Sequence, residues 1–162
     1  MRRRVTAISV VLGFLAIGIR AQGRPDFSGD WVIVGAESVR IGNQPTEFQA
    51  PMGGRFVARQ DDIGFRAARL SDPDATLVAL FDGSETSRMT PTLQPGHFLE
   101  SLTAAFWSDN RLVISTRANP ANGRTDNSVL SLDQNGMLVW QWTPQRPELP
   151  GTATFTFKYR KR

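Results

Sequence analysis

The sequence predicts an all-β protein of antiparallel strands, and three observations support this prediction. After residue 29, short runs of β-branched and aromatic residues recur about every 10 residues, separated by Gly, Pro, Asp and Asn. Beyond the N-terminal segment, no window keeps the 3.6-residue apolar period of an amphipathic helix. The length of 162 residues fits one domain. Many short strands at this spacing are typical of an antiparallel barrel or sandwich.

The N-terminus has the pattern of a cleavable signal peptide. Arg2–Arg4 form a basic region, an apolar stretch follows over Val5–Ile19, and Ala21 offers a small residue for cleavage. A permanent transmembrane helix needs about 20 apolar residues, which this stretch does not reach. We therefore expect residues 1–21 to be removed, leaving a single domain over 22–162 that is exported, soluble, periplasmic or extracellular, and not membrane-bound.

The charge balance of the mature chain disfavours a nucleic-acid partner. The predicted leader holds four arginines and no acidic residue, so 15 of the 19 basic residues remain, against 15 acidic residues. A basic isoelectric point that comes mostly from a leader does not indicate nucleic-acid binding. The chain contains no cysteine, so its stability must come from a hydrophobic core rather than from disulfides.

Ten strands are predicted along the mature chain, at Asp30–Val34, Arg55–Gln60, Gly64–Leu70, Thr76–Phe81, Glu85–Thr90, Ser101–Trp107, Arg111–Arg117, Asn127–Leu132, Met137–Thr143 and Ala153–Tyr159. The long segment Glu37–Gly54 is predicted to be a loop, either a lid or a plain connection. In the last strand, Phe155, Phe157 and Tyr159 alternate with polar residues and should share one face.

The turn between the eighth and ninth strands is specified in detail. A three-residue loop with Gly136 in the left-handed conformation would pair Asp133 with Met137. Leu132 would then face Leu138, and Leu130 would face Trp140, so that one face of the hairpin is apolar. A two-residue turn would pair Asp133 with Leu138 and mix polar with apolar residues, so the three-residue loop is favoured.

The turn at Ser108–Asn110 leaves two registers open. A two-residue loop aligns Trp107 with Leu112, whereas a three-residue loop aligns Phe106 with Leu112. Because a slip of one residue reverses the buried face, the inward aromatic residue is not decided by the sequence.

Four segments together resemble a family of small exported bacterial lipocalin-like domains, many of them without an assigned function. The opening Phe27-Ser28-Gly29-Asp30-Trp31 resembles the Phe-Ser-Gly-x-Trp start of the family. The turn at Phe81–Glu85 and the hairpins at Ala105–Thr116 and Leu130–Leu138 resemble its later turns, although Asp109 stands where the family usually has glycine. The resemblance implies an up-and-down β-barrel or a strongly curved sheet.

The resemblance also implies a structural role for the first tryptophan. In lipocalins the Gly-x-Trp tryptophan closes one barrel end, covered by a basic residue of the last strand. By this resemblance, Trp31 should close the barrel, with Lys158 or Arg160 stacked over it. The glycine-rich run of haem-binding relatives is absent after Trp31, so the resemblance does not imply haem, and no cofactor is expected.

A search for catalytic or metal-binding patterns gives no candidate. The single histidine, His97, lies in a predicted loop without a nucleophile motif such as Gly-x-Ser-x-Gly. One histidine and no cysteine argue against zinc or copper. The acidic pairs Asp61-Asp62 and Asp72-Pro73-Asp74 are typical of turns. We therefore predict no catalytic residues, no metal site and no enzymatic activity.

The remaining functional signal is aromatic. A barrel interior lined by aromatic residues can hold a small apolar molecule, and the candidate ligand-binding residues are Trp140, Trp142, Phe65, Phe81 and Phe157. The same residues could instead fill the barrel by packing. The leading hypothesis is binding of a small apolar ligand, and the alternative is a structural or protein-interaction module with a packed core.

Overall fold

The computed structural model describes residues 23–42, 49–91, 94–119 and 123–162. The predicted leader and its cleavage site at Ala21 lie outside these residues. The described ranges contain ten strands, at β1 Gly29–Gly42, β2 Arg55–Gln60, β3 Gly64–Arg69, β4 Thr76–Leu80, β5 Thr86–Pro91, β6 Phe98–Ser108, β7 Arg111–Asn119, β8 Thr125–Leu132, β9 Leu138–Gln145 and β10 Gly151–Lys161.

The strands form one continuous antiparallel sheet that curls into a nearly closed barrel. Strands that are consecutive in sequence pair with each other, except β4 and β5, which lie at the two ends of the order, and β1 also pairs with β10. The predicted all-β, up-and-down barrel is therefore confirmed. The sandwich is ruled out because a single sheet runs through all ten strands.

Strand β1 is much longer than predicted. Residues Glu37–Gly42, predicted to belong to the loop Glu37–Gly54, continue β1 and pair with residues 151–156 of β10. The register shifts between Ile33 and Gly35, where one extra residue forms a bulge that reverses which residues face inward. Val39 and Ile41 then lie outside the barrel, with 72% and 69% of their surface exposed. The loop prediction was wrong for Glu37–Gly42 because the apolar residues of this part of β1 face outward.

The β8–β9 hairpin has the predicted three-residue loop. Leu132 pairs with Leu138 and Leu130 with Trp140. The Asp133 amide donates to the Met137 carbonyl at 2.9 Å. Gly136 has a φ of 74°, as the left-handed position requires.

The structure decides the register that the sequence left open at β6–β7. Trp107 pairs with Leu112 and Ser108 with Arg111, so the loop has two residues. Asp109 adopts a φ of 53°, a conformation that aspartate tolerates better than most residues and that glycine adopts freely. Trp107 consequently packs inside, while Phe106 is exposed.

The chain before β1 closes one end of the barrel. The Trp31 indole Nε1 donates to the Phe27 carbonyl at 2.8 Å, and the Phe27 ring stacks on Trp107 with centroids 5.8 Å apart. The Gln60 side chain accepts from the Phe27 amide at 3.1 Å and donates to the Pro25 carbonyl at 2.9 Å. We call this the closed end; Phe27 and Trp31 are fully buried or nearly so, and Trp107 is partly buried.

The cation above Trp31 is Lys161, which corrects the expectation of Lys158 or Arg160. Lys161 Nζ lies 5.9 Å from the Trp31 ring centroid, because the β1–β10 register pairs these two residues directly. Lys158 and Arg160 have the opposite parity along β10 and point outward, and Lys158 forms an ion pair with Glu37 at 3.3 Å. The alternation that places Tyr159 inside also places Lys161, not its neighbours, over Trp31.

Candidate functional site

The barrel contains a cavity of about 600 Å³ on the side away from the closed end. Its lining combines inward side chains of β6–β9 with residues of β3, β4 and β5 and of the segment 49–52. The cavity lies at this end because the inward residues of the strands are apolar near the closed end and become more polar toward the other end.

Side chains bridge the gap between β4 and β5, the two strands at the ends of the sheet order. Thr86 Oγ1 donates to the Val78 carbonyl at 2.7 Å. The Arg88 guanidinium donates to the Thr76 carbonyl at 3.0 Å and to the Asp74 carbonyl at 2.6 Å. We call this gap the seam. It lies beside the cavity, whose lining includes Thr76, Thr86 and Arg88.

A row of polar side chains crosses four strands on one wall of the cavity. The register places Thr86 beside Thr103, Thr103 beside Thr116, and Thr116 beside Asp126. Thr103 Oγ1 and Thr116 Oγ1 lie 3.0 Å apart, and Thr103 is only 6% exposed. Buried hydroxyl groups need hydrogen-bond partners, so this row determines where other polar groups can lie in the cavity. We call these four residues the polar row.

Asp126 supplies the carboxylate of the polar row. Arg146 Nη1 lies 2.9 Å from Asp126 Oδ1, and the two side chains are 20% and 39% exposed, respectively. The guanidinium therefore balances the charge of the carboxylate. Since an ionised carboxylate only accepts hydrogen bonds, Asp126 contributes hydrogen-bond acceptors to this wall.

Two tryptophans of β9 form an apolar part of the cavity lining. Trp140 is 1% exposed and its Nε1 donates to Ser128 Oγ at 2.9 Å. Trp142 is 8% exposed and its ring centroid lies 5.6 Å from that of Phe155. Ser128 pairs with Trp142 across the β8–β9 ladder. Polar and apolar lining thus meet along β8.

The segment before β2 covers part of the cavity. Arg69 donates from Nε and Nη2 to the Pro51 carbonyl at 3.1 and 2.6 Å, and Met52 is buried. The Tyr159 hydroxyl donates to the Gly53 carbonyl at 3.3 Å. Burial raises the pKa of Tyr159 far above its usual value. These contacts hold residues 49–54 in place; residues 43–48 of the predicted loop lie outside the described ranges.

The structure brings two of the five predicted ligand-binding residues to the cavity. Trp140 and Trp142 line it. Phe65 packs edge-on against Phe27 at 6.3 Å, and Phe81 packs against Trp107 at 5.3 Å, both in the closed end. Phe157 is buried beside Trp140, its partner in the β9–β10 ladder. These three phenylalanines belong to the packed core and do not line the cavity.

The sequence analysis did not predict the polar row, because its ligand-binding candidates were all aromatic residues. The signal that could have found it is the parity of each strand: Thr103 shares a face with Ala105 and Trp107, and Asp126 with Ser128 and Leu130. Polar residues on an otherwise apolar inward face indicate either a paired core group or a lined cavity.

The residues that the sequence offered as catalytic or metal-binding candidates, His97 and Asp61, lie in exposed turns. His97 is exposed in the turn before β6. Asp61 acts as a turn residue, accepting from the amides of Ile63 and Gly64 at 2.9 and 2.8 Å. Among the described residues no group of three or more histidine or acidic side chains could hold a metal ion.

No protein-family model matches the chain, and no curated protein gives a significant match. In the described ranges, no helix is long and apolar enough to cross a membrane.

Proposed function

We propose that this chain is an exported, non-enzymatic binding protein that holds a small molecule in the cavity of a lipocalin-like barrel. The observation that carries the proposal is the cavity itself, at about 600 Å³. Ligand sites for small molecules typically measure roughly 300–1,000 Å³ and combine an apolar lining with a few polar groups that fix orientation. The tryptophans and the polar row provide this combination.

Two further features support the proposal. The basic and apolar pattern of residues 1–21 favours export. The carboxylate of the cavity, Asp126, is engaged by Arg146, and the single histidine of the chain lies in an exposed turn. This arrangement favours holding a molecule over transforming it, since acid–base catalysis needs a titratable group aimed at the reacting atom.

Native mass spectrometry of the protein purified from a periplasm tests the proposal. We expect an extra mass that is lost on denaturation and that identifies the ligand. A variant that fills the cavity, Ser101→Trp, should lose this mass because Ser101 lines the cavity. The matched control is Ser115→Trp, at an outward position of β7.

Circular dichroism should first establish that both tryptophan variants fold. Loss of the extra mass in Ser101→Trp and its retention in Ser115→Trp would support binding in the barrel. A bare chain mass for the wild type, with no small molecule bound on addition of candidate ligands, would contradict the proposal.

A second candidate function, protein interaction, is favoured by the far half of β1. Val39 and Ile41 project from the outer surface with most of their area exposed, and exposed apolar side chains on adjacent outward positions often mark contact surfaces. Replacing both residues by threonine should abolish self-association or partner capture in sedimentation and pull-down experiments. Unchanged association would contradict this second candidate.

A further inference from the structure

We propose that the ligand of the cavity is a neutral amphipathic molecule: an apolar ring system that packs against Trp142, carrying a hydroxyl or amide N–H that donates to the polar row. This inference rests on the proposed binding function and specifies its ligand more narrowly than a small apolar molecule. It follows from the distribution of hydrogen-bonding groups and charge around the cavity.

The polar row offers more acceptors than donors. Thr103 Oγ1 and Thr116 Oγ1 are 3.0 Å apart, so one hydroxyl proton is used between them. The two oxygens keep further lone pairs, and the neighbouring Asp126 carboxylate only accepts. A ligand group that donates a hydrogen bond satisfies this wall, whereas a purely apolar ligand would leave the remaining lone pairs without water or another donor.

The charge at the polar row favours a neutral donor. Arg146 Nη1 lies 2.9 Å from Asp126 Oδ1, which compensates the carboxylate. A cationic ligand would compete with this guanidinium, and an anionic ligand would face the carboxylate oxygens. A hydroxyl or amide N–H reaches the same acceptors without introducing an uncompensated charge.

The apolar lining next to the polar row fixes the apolar end of the ligand. Trp142 presents an indole ring at the cavity, and Ile114, one step along the same inward face of β7 as Thr116, adds an aliphatic surface. Aromatic rings favour offset or edge contacts with a planar apolar group. Ligand orientation is then set by one polar and one apolar surface.

Isothermal titration calorimetry with a matched pair of probes tests the inference. The probes are 2-hydroxyfluorene and 2-methylfluorene, which have the same ring system and nearly the same shape and differ in one donor. We expect the hydroxyl probe to bind the wild type roughly 2- to 10-fold more tightly, the range of one net hydrogen bond.

Two threonine variants locate the effect. Thr116→Val removes a hydroxyl from the polar row and should bring the two affinities close to equality. Thr125→Val removes the same group from an outward position of β8 and should leave the ratio as in the wild type. Comparing two probes within one variant cancels any change in folding that the substitution causes.

The outcomes separate this inference from the function on which it rests. Binding of both probes with a preference that Thr116→Val abolishes would support it. Binding with no preference for the hydroxyl probe, or with a preference that Thr116→Val leaves intact, would overturn the inference and leave the binding function standing. Absence of binding by either probe, together with a bare mass in native spectrometry, would overturn both.

Discussion

Tyr159 is the single tyrosine of the chain, so its titration reports on the part of the barrel covered by residues 49–54. Its ring packs edge-on against Phe56 with centroids 5.0 Å apart, and its hydroxyl reaches the Gly53 carbonyl. Burial disfavours the charged phenolate, which raises the pKa of Tyr159. The folded state therefore keeps the proton at a pH at which the unfolded chain releases it.

We expect the phenolate absorbance of the native protein to appear only well above the usual tyrosine value of 10.0. Because the folded pKa is raised, this group contributes stability below the unfolded pKa, and that contribution is lost as the pH rises toward the folded value. Spectrophotometric titration with and without denaturant measures both states, and Tyr159→Phe gives the baseline. A native titration that coincides with the denatured one would contradict the buried position.

At the closed end, Trp31 and Lys161 contribute unequally to stability. Trp31→Ala removes a buried indole and its hydrogen bond, and we expect the free energy of unfolding to fall by about 3–5 kcal/mol. Lys161→Met keeps an apolar chain but removes the cation over the indole, at a cost of about 0.5–1 kcal/mol for an exposed contact. Chemical denaturation measures both changes.

The matched control for Lys161→Met is Arg160→Met, one residue earlier in β10 and on its outer face. It should leave the unfolding midpoint nearly unchanged because it removes no contact with Trp31. An equal loss of stability in the Lys161 and Arg160 variants would show that the pairing of Trp31 with Lys161 is energetically unimportant.

At the scale of the strand, the sequence predicted the pairing correctly where the residue pattern was compatible with only one register. The β8–β9 hairpin was predicted to the residue because only one register places Leu130, Leu132 and Trp140 on a common face. The β6–β7 turn stayed open because both registers bury an aromatic residue, and the choice depends on the backbone conformation of Asp109. β1 was predicted too short because its far half exposes its apolar residues.

The candidate site was predictable only in its aromatic part. Trp140 and Trp142 are recognisable as inward residues of β9 from the alternation along the strand. Thr103, Thr116 and Asp126 come from three strands, and their proximity depends on the register of each pair. A sequence pattern within one strand does not carry that information, whereas the sheet places the three residues in one row.

The seam should be the least protected part of the sheet. Its β4–β5 bridges come from the Thr86 and Arg88 side chains, whereas β9 and β10 lie inside a backbone ladder on both edges. We expect Arg88→Met to speed hydrogen exchange at the amides of β4 and β5 with little change in global stability, because Arg88 is exposed.

Hydrogen–deuterium exchange with mass analysis of peptides measures this difference. Arg66→Met, which changes an exposed residue of β3, is the control and should leave β4 and β5 unaffected. Exchange that rises equally over all strands would mean that Arg88 supports the whole barrel, and unchanged exchange at β4 and β5 would mean that its two carbonyl contacts do not hold the seam.

At the scale of the whole molecule, the inward surface of the barrel changes from apolar at the closed end to polar beside the cavity. Near the closed end the rows are apolar: Leu112 and Leu130 are fully buried beside Trp107 and Trp140. Two steps further along the same strands, the inward residues are those of the polar row. Packing at one end can stabilise the barrel, so that the other end is able to keep a cavity.

Several carboxylates around the closed end link the stability of the molecule to pH. Hydrogen bonds from Ser28 lower the pKa of Asp26, the Arg55 guanidinium lowers that of Asp30, and the amides of Gly64 and Ile63 lower that of Asp61. The unfolded chain, with ordinary values near 3.8, therefore binds protons before the folded chain does. The stability that these groups contribute is present above the unfolded value and is lost as the pH falls through the folded values.

We expect the urea midpoint to be lower at about pH 3 than at about pH 7. Asp61→Asn should reduce this difference, because the amide oxygen can still accept from the two backbone amides but does not titrate in this range. Asp61 lies in the exposed turn between β2 and β3, so the substitution leaves the core and the cavity intact. A pH dependence of the same size in Asp61→Asn and wild type would exclude this turn as a source of acid sensitivity, and a midpoint that rises on acidification would overturn the assignment of depressed pKa values at the closed end.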